Sequence, residues 1–324
     1  MRRSASPFLL QKLLRYSLAL LAIIAINFFL PRLMPGDPIA NILGENYLYA
    51  SAEHIQKLRI ELGLDLPLHQ QFCHYLVDLL HGQWGMSYQY TQPIYDIIIY
   101  RMQWTLVLMI PSVLIGAAAG LVLGSVSGWN RGKRLDSVMT AILLLLYSTP
   151  GYWLAMLAVL IFAFYLDVLP LYGMLSSEST GLEKIGDLLV HMVLPVTILS
   201  LYKASGSYLI MRSSVIQVLG DGYILTARAK GLDDAAILFK HVLRNALMPL
   251  ITVFALDFGS MVSGALLVEI VFSWNGMGTL IYDAILARDY PLLDGCLLAI
   301  SICVLVANLF ADIVYSIFDP RLRN

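Results

Sequence analysis

Charge is what this sequence is short of. Asp, Glu, Lys and Arg together make up 13% of 324 residues, about half of the roughly 25% that an average soluble domain carries. Hydrophobic residues reach 59% and the mean hydropathy is +0.74, so the chain is an integral membrane protein and not a soluble domain. A net charge of −1 leaves no basic excess for nucleic acid, and placement of the cations says more than their sum. Cysteine is scarce as well. Cys73, Cys296 and Cys303 contain no CxxC pair, and the last two lie about 10 Å apart along one apolar helix, so neither a disulfide framework nor a zinc cluster follows.

Catalytic signatures are missing too. A phosphate-binding loop of the form GxxxxGK[ST] is absent. The nearest approach, Gly128-Trp-Asn-Arg-Gly132-Lys133, has three residues between its glycines and Arg134 where Ser or Thr is needed. G-x-S-x-G and H-E-x-x-H are absent as well, which removes the common hydrolase patterns. The chain reads as no enzyme, with no cofactor of its own. If ATP drives it, another chain must hydrolyse that ATP.

What the sequence does have is long apolar runs. A crossing needs about 20 predominantly apolar residues, and six runs qualify, near 13–30, 104–126, 138–166, 188–211, 247–272 and 292–317. The expectation is an all-α polytopic membrane protein of six transmembrane helices. The first run reads as an uncleaved anchor, because the "PRLMPGDP" after it lacks a small-x-small cleavage pattern. With the N-terminus inside, 14 of the 21 Lys and Arg residues fall in cytoplasmic segments, three of them in the short "WNRGKRLD" loop. The positive-inside rule then places both termini in the cytoplasm.

Helix-packing signals mark several spans. Gly116, Gly120 and Gly124 recur every fourth residue on the second span, a bare face that admits a close neighbour. Pro150-Gly151 and Pro195 are expected to kink or break the third and fourth. Ionisable residues within or near the spans are Lys203, Asp257, Glu269, Asp294 and Asp312, with His191 near a span end. Lys203, Asp257 and Glu269 are the weak candidates for a substrate pathway, and Asp257 is the deepest. A proton-coupled carrier would use such residues as relays, but no inverted repeat of the kind common in secondary carriers is visible.

Residues 31–103 read as a small folded extracytoplasmic cap between the first two spans. "ASAEHIQKLRIELGLD" begins with Ser51 as an N-cap and stops near Gly63. "LHQQFCHYLVDLLHG" places Leu68, Phe72, Tyr75, Leu76 and Leu79 on one apolar helical face. His74, Asp78 and His81 lie opposite at i, i+4 and i+7, either as a solvated polar face or as metal ligands one turn apart.

The longest polar run is "ARAKGLDDAAILFKHVLRNALMP", 227–249, within cytoplasmic residues 212–246 and on to the next span. Its two helical segments, "DGYILTARAKG" and "LDDAAILFKHVLRNALMP", are each too short to cross a core of about 30 Å. Gly231 supplies the turn between them, Asp233 or Asp234 caps the second, and that helix is expected to end before Pro249. Residues alone leave two readings open: a basic surface helix against membrane lipid, or a rigid pair docked in a partner.

This run resembles the cytoplasmic coupling motif of binding-protein-dependent ABC importer permeases of the dipeptide, oligopeptide and nickel family. "PGDP" (35–38), "ELGLDLPLHQQF" (61–72), "GQWGMS" (82–87), "VEIVFSWNGMGTLIYDAILARDYP" (268–291) and the terminal "DPRLR" carry the likeness nearly end to end. The resemblance implies a type I ABC importer permease made of residues 1–30 as tail and first helix, 31–103 as cap and 104–324 as core. Its implied partners are a second homologous permease, two cytoplasmic ATPase subunits holding ATP and Mg, and an extracytoplasmic solute-binding protein, at a bacterial inner membrane. The coupling residues it implies are Tyr223, Ala227, Arg228, Ala229, Lys230, Gly231, His241, Arg244, Asn245 and Pro249. Two departures stand out: Asp221-Gly222 where the family often has an acidic pair, and Asn275-Gly276 where it usually has Pro-Gly. Short peptides are the expected cargo, with nickel or a metal-chelate as the alternative. A proton-coupled carrier and a non-transporting membrane-embedded binding or signalling subunit are the alternatives from other classes.

Overall fold

The computed structural model describes residues 6–33, 36–176, 181, 183–261 and 266–318. In chain order the helices are α1 (Ser6–Arg32), α2 (Pro38–Leu43), α3 (Ala52–Glu61), α4 (Leu68–Leu80), α5 (Ile94–Trp129), α6 (Arg134–Ser148), α7 (Gly151–Ala158), α8 (Glu183–Leu219), α9 (Gly222–Ala229), α10 (Asp234–Ala236), α11 (Leu243–Ser260), α12 (Leu266–Val271), α13 (Met277–Ala287) and α14 (Tyr290–Phe318). A 3-10 turn at Gly44–Leu48 and π-helical stretches at Val159–Tyr165 and Ile237–Val242 complete them. Among the described residues the nearest thing to a strand is an antiparallel bridge between Met86 and Pro93.

Among the described residues, four stretches are long and apolar enough to cross a membrane: Leu14–Arg32, Ile94–Trp129, Glu183–Leu219 and Tyr290–Leu309. The pair Arg134–Ser148 and Gly151–Tyr165 is bent by 97° and makes a fifth if it is one span. The break falls at Thr149-Pro150, as expected, because a proline disfavours helical conformation in the residue before it. Of the two outcomes expected at Pro195, a break does not occur. The proline lies inside the unbroken α8, where it is buried beside Leu194, Ile198 and Leu199, so packing on both sides of it holds the helix together despite the lost hydrogen bond. The expected span 247–272 is divided between α11 and α12, with 262–265 outside the described residues.

The chain forms two compact units, Met1–Gln103 with Gly276–Leu305, and Trp104–Asn275 with Val306–Asn324. In the first, Ser51 accepts a hydrogen bond from the backbone of His54 at 3.2 Å and so caps α3 as anticipated. α3 stops at Glu61, two residues before Gly63. The "PGDP" motif has a mechanical reason: Asp37 caps α2 through the Ile39 N–H at 3.1 Å and accepts Arg59 Nη2 at 2.6 Å, with Pro38 at the first helical position, where its missing N–H is not needed. Ile94, Ile97 and Ile98 pack with Met277, Leu280, Ala284, Leu292 and Leu293 into this unit's core. Buried Asp289 accepts from Ser87 Oγ at 2.5 Å and from the Gln89 and Leu292 backbone. That bond joins "GQWGMS" to "RDYP", two motifs far apart in sequence.

In the second unit the glycine stripe of α5 is a tight seam on α8. A Cβ added at Gly116, Gly124 or Gly128 would stand 2.6, 2.7 or 2.8 Å from the Cβ of Lys203, Met211 or Val215, and one at Gly120 closer still to that of Ser207. Both sets of residue numbers rise together in steps of four, so α5 and α8 run in the same direction. Two spans that run the same way are separated by an odd number of crossings, which makes the bent pair between them a crossing and not a re-entrant loop. The sequence reading stops the stripe at Gly124; Gly128, met there only in the failed match to a phosphate-binding loop, continues it.

Candidate functional site

The polar run 220–250 folds as a helix pair held on the end of α8. Met211, Val215 and Val218 of α8 bury Ile224 and Ala227 of α9 together with Ile237, Val242, Ala246 and Leu250. Ile224 is 1% exposed and Ile237 and Val242 are fully buried, so α9, too short to be stable in isolation, is held by this packing. Two polar bonds fix the pair further. Ser214 Oγ donates to the Ala246 carbonyl at 2.8 Å in the interior, and Asn245 Nδ2 donates to the Tyr223 hydroxyl at 2.6 Å on the surface.

The turn between the helices has a specific hydrogen-bond pattern. Gly231 has φ +77°; its N–H reaches the Arg228 carbonyl at 2.9 Å and the Leu232 N–H reaches the Ala227 carbonyl at 3.4 Å. These are the two bonds of a Schellman motif, whose C′ position requires the left-handed conformation that glycine adopts without steric cost. Asp233 then occupies the N-cap position in extended conformation, without a side-chain capping bond. Asp221 caps α9 in the same way, again without a side-chain bond.

One expectation here is corrected. The second helix does not end before Pro249: Asp234 to Ser260 is continuous through Ile237–Val242, with Pro249 inside α11. Pro249 cannot donate to the carbonyl of Asn245, but Ala246 and Leu250 on either side of it are buried in the same cluster, and that packing carries the helix past the proline.

The outward surface of the pair mixes apolar and cationic side chains. Leu225 and Phe239 are each 67% exposed and Leu232 is 41% exposed, among exposed Arg228, Ala229, Lys230, Gly231, Lys240 and Arg244. Tyr223, Asn245 and Pro249 are exposed as well, His241 is half-buried and Ala227 is buried. Ala227 therefore packs the base of the pair and does not face outward. Nothing here is arranged for bond-making chemistry.

The other candidates separate. Lys203 Nζ and Asp257 Oδ1 form an ion pair at 2.5 Å, each side chain about one-fifth exposed. Fully buried Glu269 instead accepts the Thr105 hydroxyl at 2.9 Å. His74, Asp78 and His81 are exposed, His81 Nδ1 lies 2.7 Å from the Val77 carbonyl, and among the described residues no three His, Cys, Asp or Glu side chains are placed to hold a metal ion. In the "VFSWNGMG" loop the left-handed residue is Ser273, at φ +51°, while Gly276 has φ −100°, so the turn does not depend on the Asn-Gly pair.

Sequence reasoning missed the strongest polar cluster of the second unit. Asp136 is buried at the start of α6 and accepts from Arg212 Nε and Nη2, Ser127 Oγ and the Gly132 N–H, while the Tyr208 hydroxyl bonds both Ser127 and Thr140. The sequence reading treats "WNRGKRLD" only as topology-setting charge. The available signal was the one acidic residue that follows three cations.

Comparison with known proteins places these features in context. Residues 120–324 match the family described as binding-protein-dependent transport system inner membrane component, and residues 6–109 match the N-terminal region of the same kind of membrane component. The chain is 32% identical, over 98% of its length and 98% of the relative's, to the dipeptide transport system permease protein DppB of Escherichia coli (strain K12). It is 33% identical, over 92% of its length and 93% of the relative's, to the di/tripeptide transport system permease protein DppB of Pseudomonas aeruginosa (strain UCBPP-PA14).

Proposed function

This chain belongs to the family of binding-protein-dependent transport system inner membrane components, and from that premise we propose that it is the permease subunit of an ATP-driven ABC importer for short peptides. The two relatives described above carry peptide names over nearly their whole length, and no described cluster offers metal ligands. Peptide is therefore favoured over nickel, and family membership sets the proton-coupled carrier aside. The permease crosses the bacterial inner membrane six times with both termini in the cytoplasm. It works with a second permease, two ATPase subunits that hold ATP and Mg, and an extracytoplasmic solute-binding protein.

The observation that carries the coupling role is the Gly231 turn. It joins the short α9 at a fixed angle to the long helix that starts at Asp234, roots both on α8 through a buried apolar cluster and leaves Leu225, Leu232, Phe239 and the cations facing outward. An ATPase cleft that closes on this pair moves α8 and α11 with it.

The test is reconstitution with partner subunits and loaded binding protein, measuring ATP hydrolysis and dipeptide uptake. Gly231→Pro fixes φ near −65° and destroys the Schellman turn, so uptake is lost while membrane insertion persists. Retained uptake in that variant, or uptake driven by a pH gradient without ATP, overturns the assignment.

A further inference from the structure

Tyr75 and Asp294 each bury a polar atom that nothing described satisfies. The Tyr75 hydroxyl and Asp294 Oδ1 have no hydrogen-bond partner among the described residues. Buried groups of this kind are rare in native proteins and call for a water, an ion or a ligand. Both residues line one cleft of about 600 Å³, within the size range of small-molecule sites, and every lining residue belongs to the first unit.

What is already paired defines what the cleft still needs. Arg32 Nη1 holds Asp294 Oδ2 at 2.8 Å and the Phe28 carbonyl at 2.7 Å, Arg32 Nε reaches Gln71 Oε1 at 3.3 Å, and the guanidinium lies 3.6 Å from the Phe28 ring centre. The arginine is thus engaged on the protein side. Asp294, 2% exposed, keeps one carboxyl oxygen, Oδ1, without a hydrogen-bond partner among the described residues. Burial, with the Asp294 charge adding to it and Arg32 opposing it, pushes the Tyr75 phenol above its ordinary value. The group stays protonated, and its oxygen lone pairs are available.

Charge points the same way. The walls carry the carboxylates of Glu61, Asp78 and Asp294 against Arg32 as their fixed cation, with His74 also present. Glu61 has an exposed partner in Lys57 at 3.9 Å. Carboxylates therefore outnumber fixed cations along these walls, and one of them, Asp294, stands at the buried end. A primary ammonium brings one positive charge and three N–H donors in a compact head.

We propose that this cleft binds a protonated primary amine, its ammonium donating to Asp294 Oδ1 and to the Tyr75 hydroxyl oxygen. On the peptide-import reading, on which the ligand's identity rests, the source is the α-ammonium end of a short peptide. The cleft thereby selects peptides with a free amino terminus.

The test uses the purified full-length chain in detergent micelles, titrated with dialanine and with N-acetyl-dialanine. Trp84 lines the cleft and serves as the fluorescent reporter, with Trp84→Phe as the blank. Dialanine is expected to bind saturably and the acetylated form roughly tenfold or more weakly, as loss of a charge-assisted hydrogen bond implies. Asp294→Asn should abolish the discrimination. Because that variant also strips Arg32 of its ion pair and can unfold the chain, Tyr75→Phe is the decisive one: it keeps the ring packed on Phe28 and should bind dialanine several-fold more weakly while melting like the parent.

Equal binding of the two peptides, unchanged binding in Tyr75→Phe, or no saturable binding by the folded chain overturns the proposal. Methylamine binding as tightly as dialanine supports an amine site and removes the peptide as its preferred source. Amine binding that persists where reconstituted uptake fails sinks the transport reading alone; uptake that persists while both peptides bind alike sinks the site alone.

Discussion

Arg212 clasps Asp136 through two nitrogens, Nε at 2.7 Å from one carboxylate oxygen and Nη2 at 2.9 Å from the other. The fork ties α8 to the first turn of α6, and the buried hydroxyls of Ser127 and Tyr208 complete the cluster. Bidentate geometry makes this pair directional as well as attractive.

Removing one partner leaves the other charged in a buried setting. Asp136→Asn and Arg212→Met should each lower stability by about 2–4 kcal/mol, somewhat under the usual figure for a fully buried pair because Arg212 is partly exposed. Thermal unfolding of the detergent-purified chain reads this directly. Parent-like melting in both variants would show the cluster to be incidental.

The glycine seam predicts a graded series. Gly116→Ala, Gly120→Ala, Gly124→Ala and Gly128→Ala should each destabilise by about 1–3 kcal/mol through overpacking, and Gly120→Ala most, since its added methyl meets Ser207 most closely. Gly186→Ala on α8 has open space around it and should be neutral or stabilising by up to about 1 kcal/mol. Equal melting temperatures across the five variants would contradict the close approach of α5 and α8.

Ile237 and Phe239 sit two residues apart on the polar run and should behave in opposite ways. Ile237→Ala opens a hole in a buried cluster and should cost about 2–5 kcal/mol. Phe239→Ala, at an exposed position, should leave stability within about 0.5 kcal/mol yet reduce recovery of the ATPase subunits in co-purification. A Phe239→Ala permease that retains its ATPases fully would exclude this face from docking.

Lys203 and Asp257 are read as a structural pair. Lys203→Met and Asp257→Leu alone should each destabilise by about 1–3 kcal/mol, and the double variant should recover at least about 1 kcal/mol of the combined loss, with uptake still driven by ATP. Loss of uptake in a double variant of normal stability would assign the pair to the transport path.

Legibility in the sequence followed how local each feature is. Ser51 as an N-cap, the glycine stripe and the Gly231 turn could be read because each acts within one helix or one turn. Pro150 and Pro249 show the limit. The same residue type breaks one helix and sits inside another, and the difference is the buried packing of Ala246 and Leu250, which no local pattern encodes. Arg212 and Asp136 lie 76 residues apart, and Ser87 and Asp289 lie 202 apart. Counting charges gives an expected orientation but cannot pair the charges. The amine-binding cleft was legible only in part: Tyr75 was placed on an apolar face and Asp294 among span carboxylates, and their meeting depends on the fold.

The unbroken helix through Pro249 makes Asp234–Ser260 a lever arm. At about 1.5 Å per residue it is on the order of 40 Å long, so a tilt of about 5° at its Asp234 end displaces the far end by roughly 3–4 Å. Under the coupling role proposed above, a small rotation at Gly231 is enlarged along that length, and the π-helical stretch Ile237–Val242 and Pro249 are the two points where a bend would absorb it.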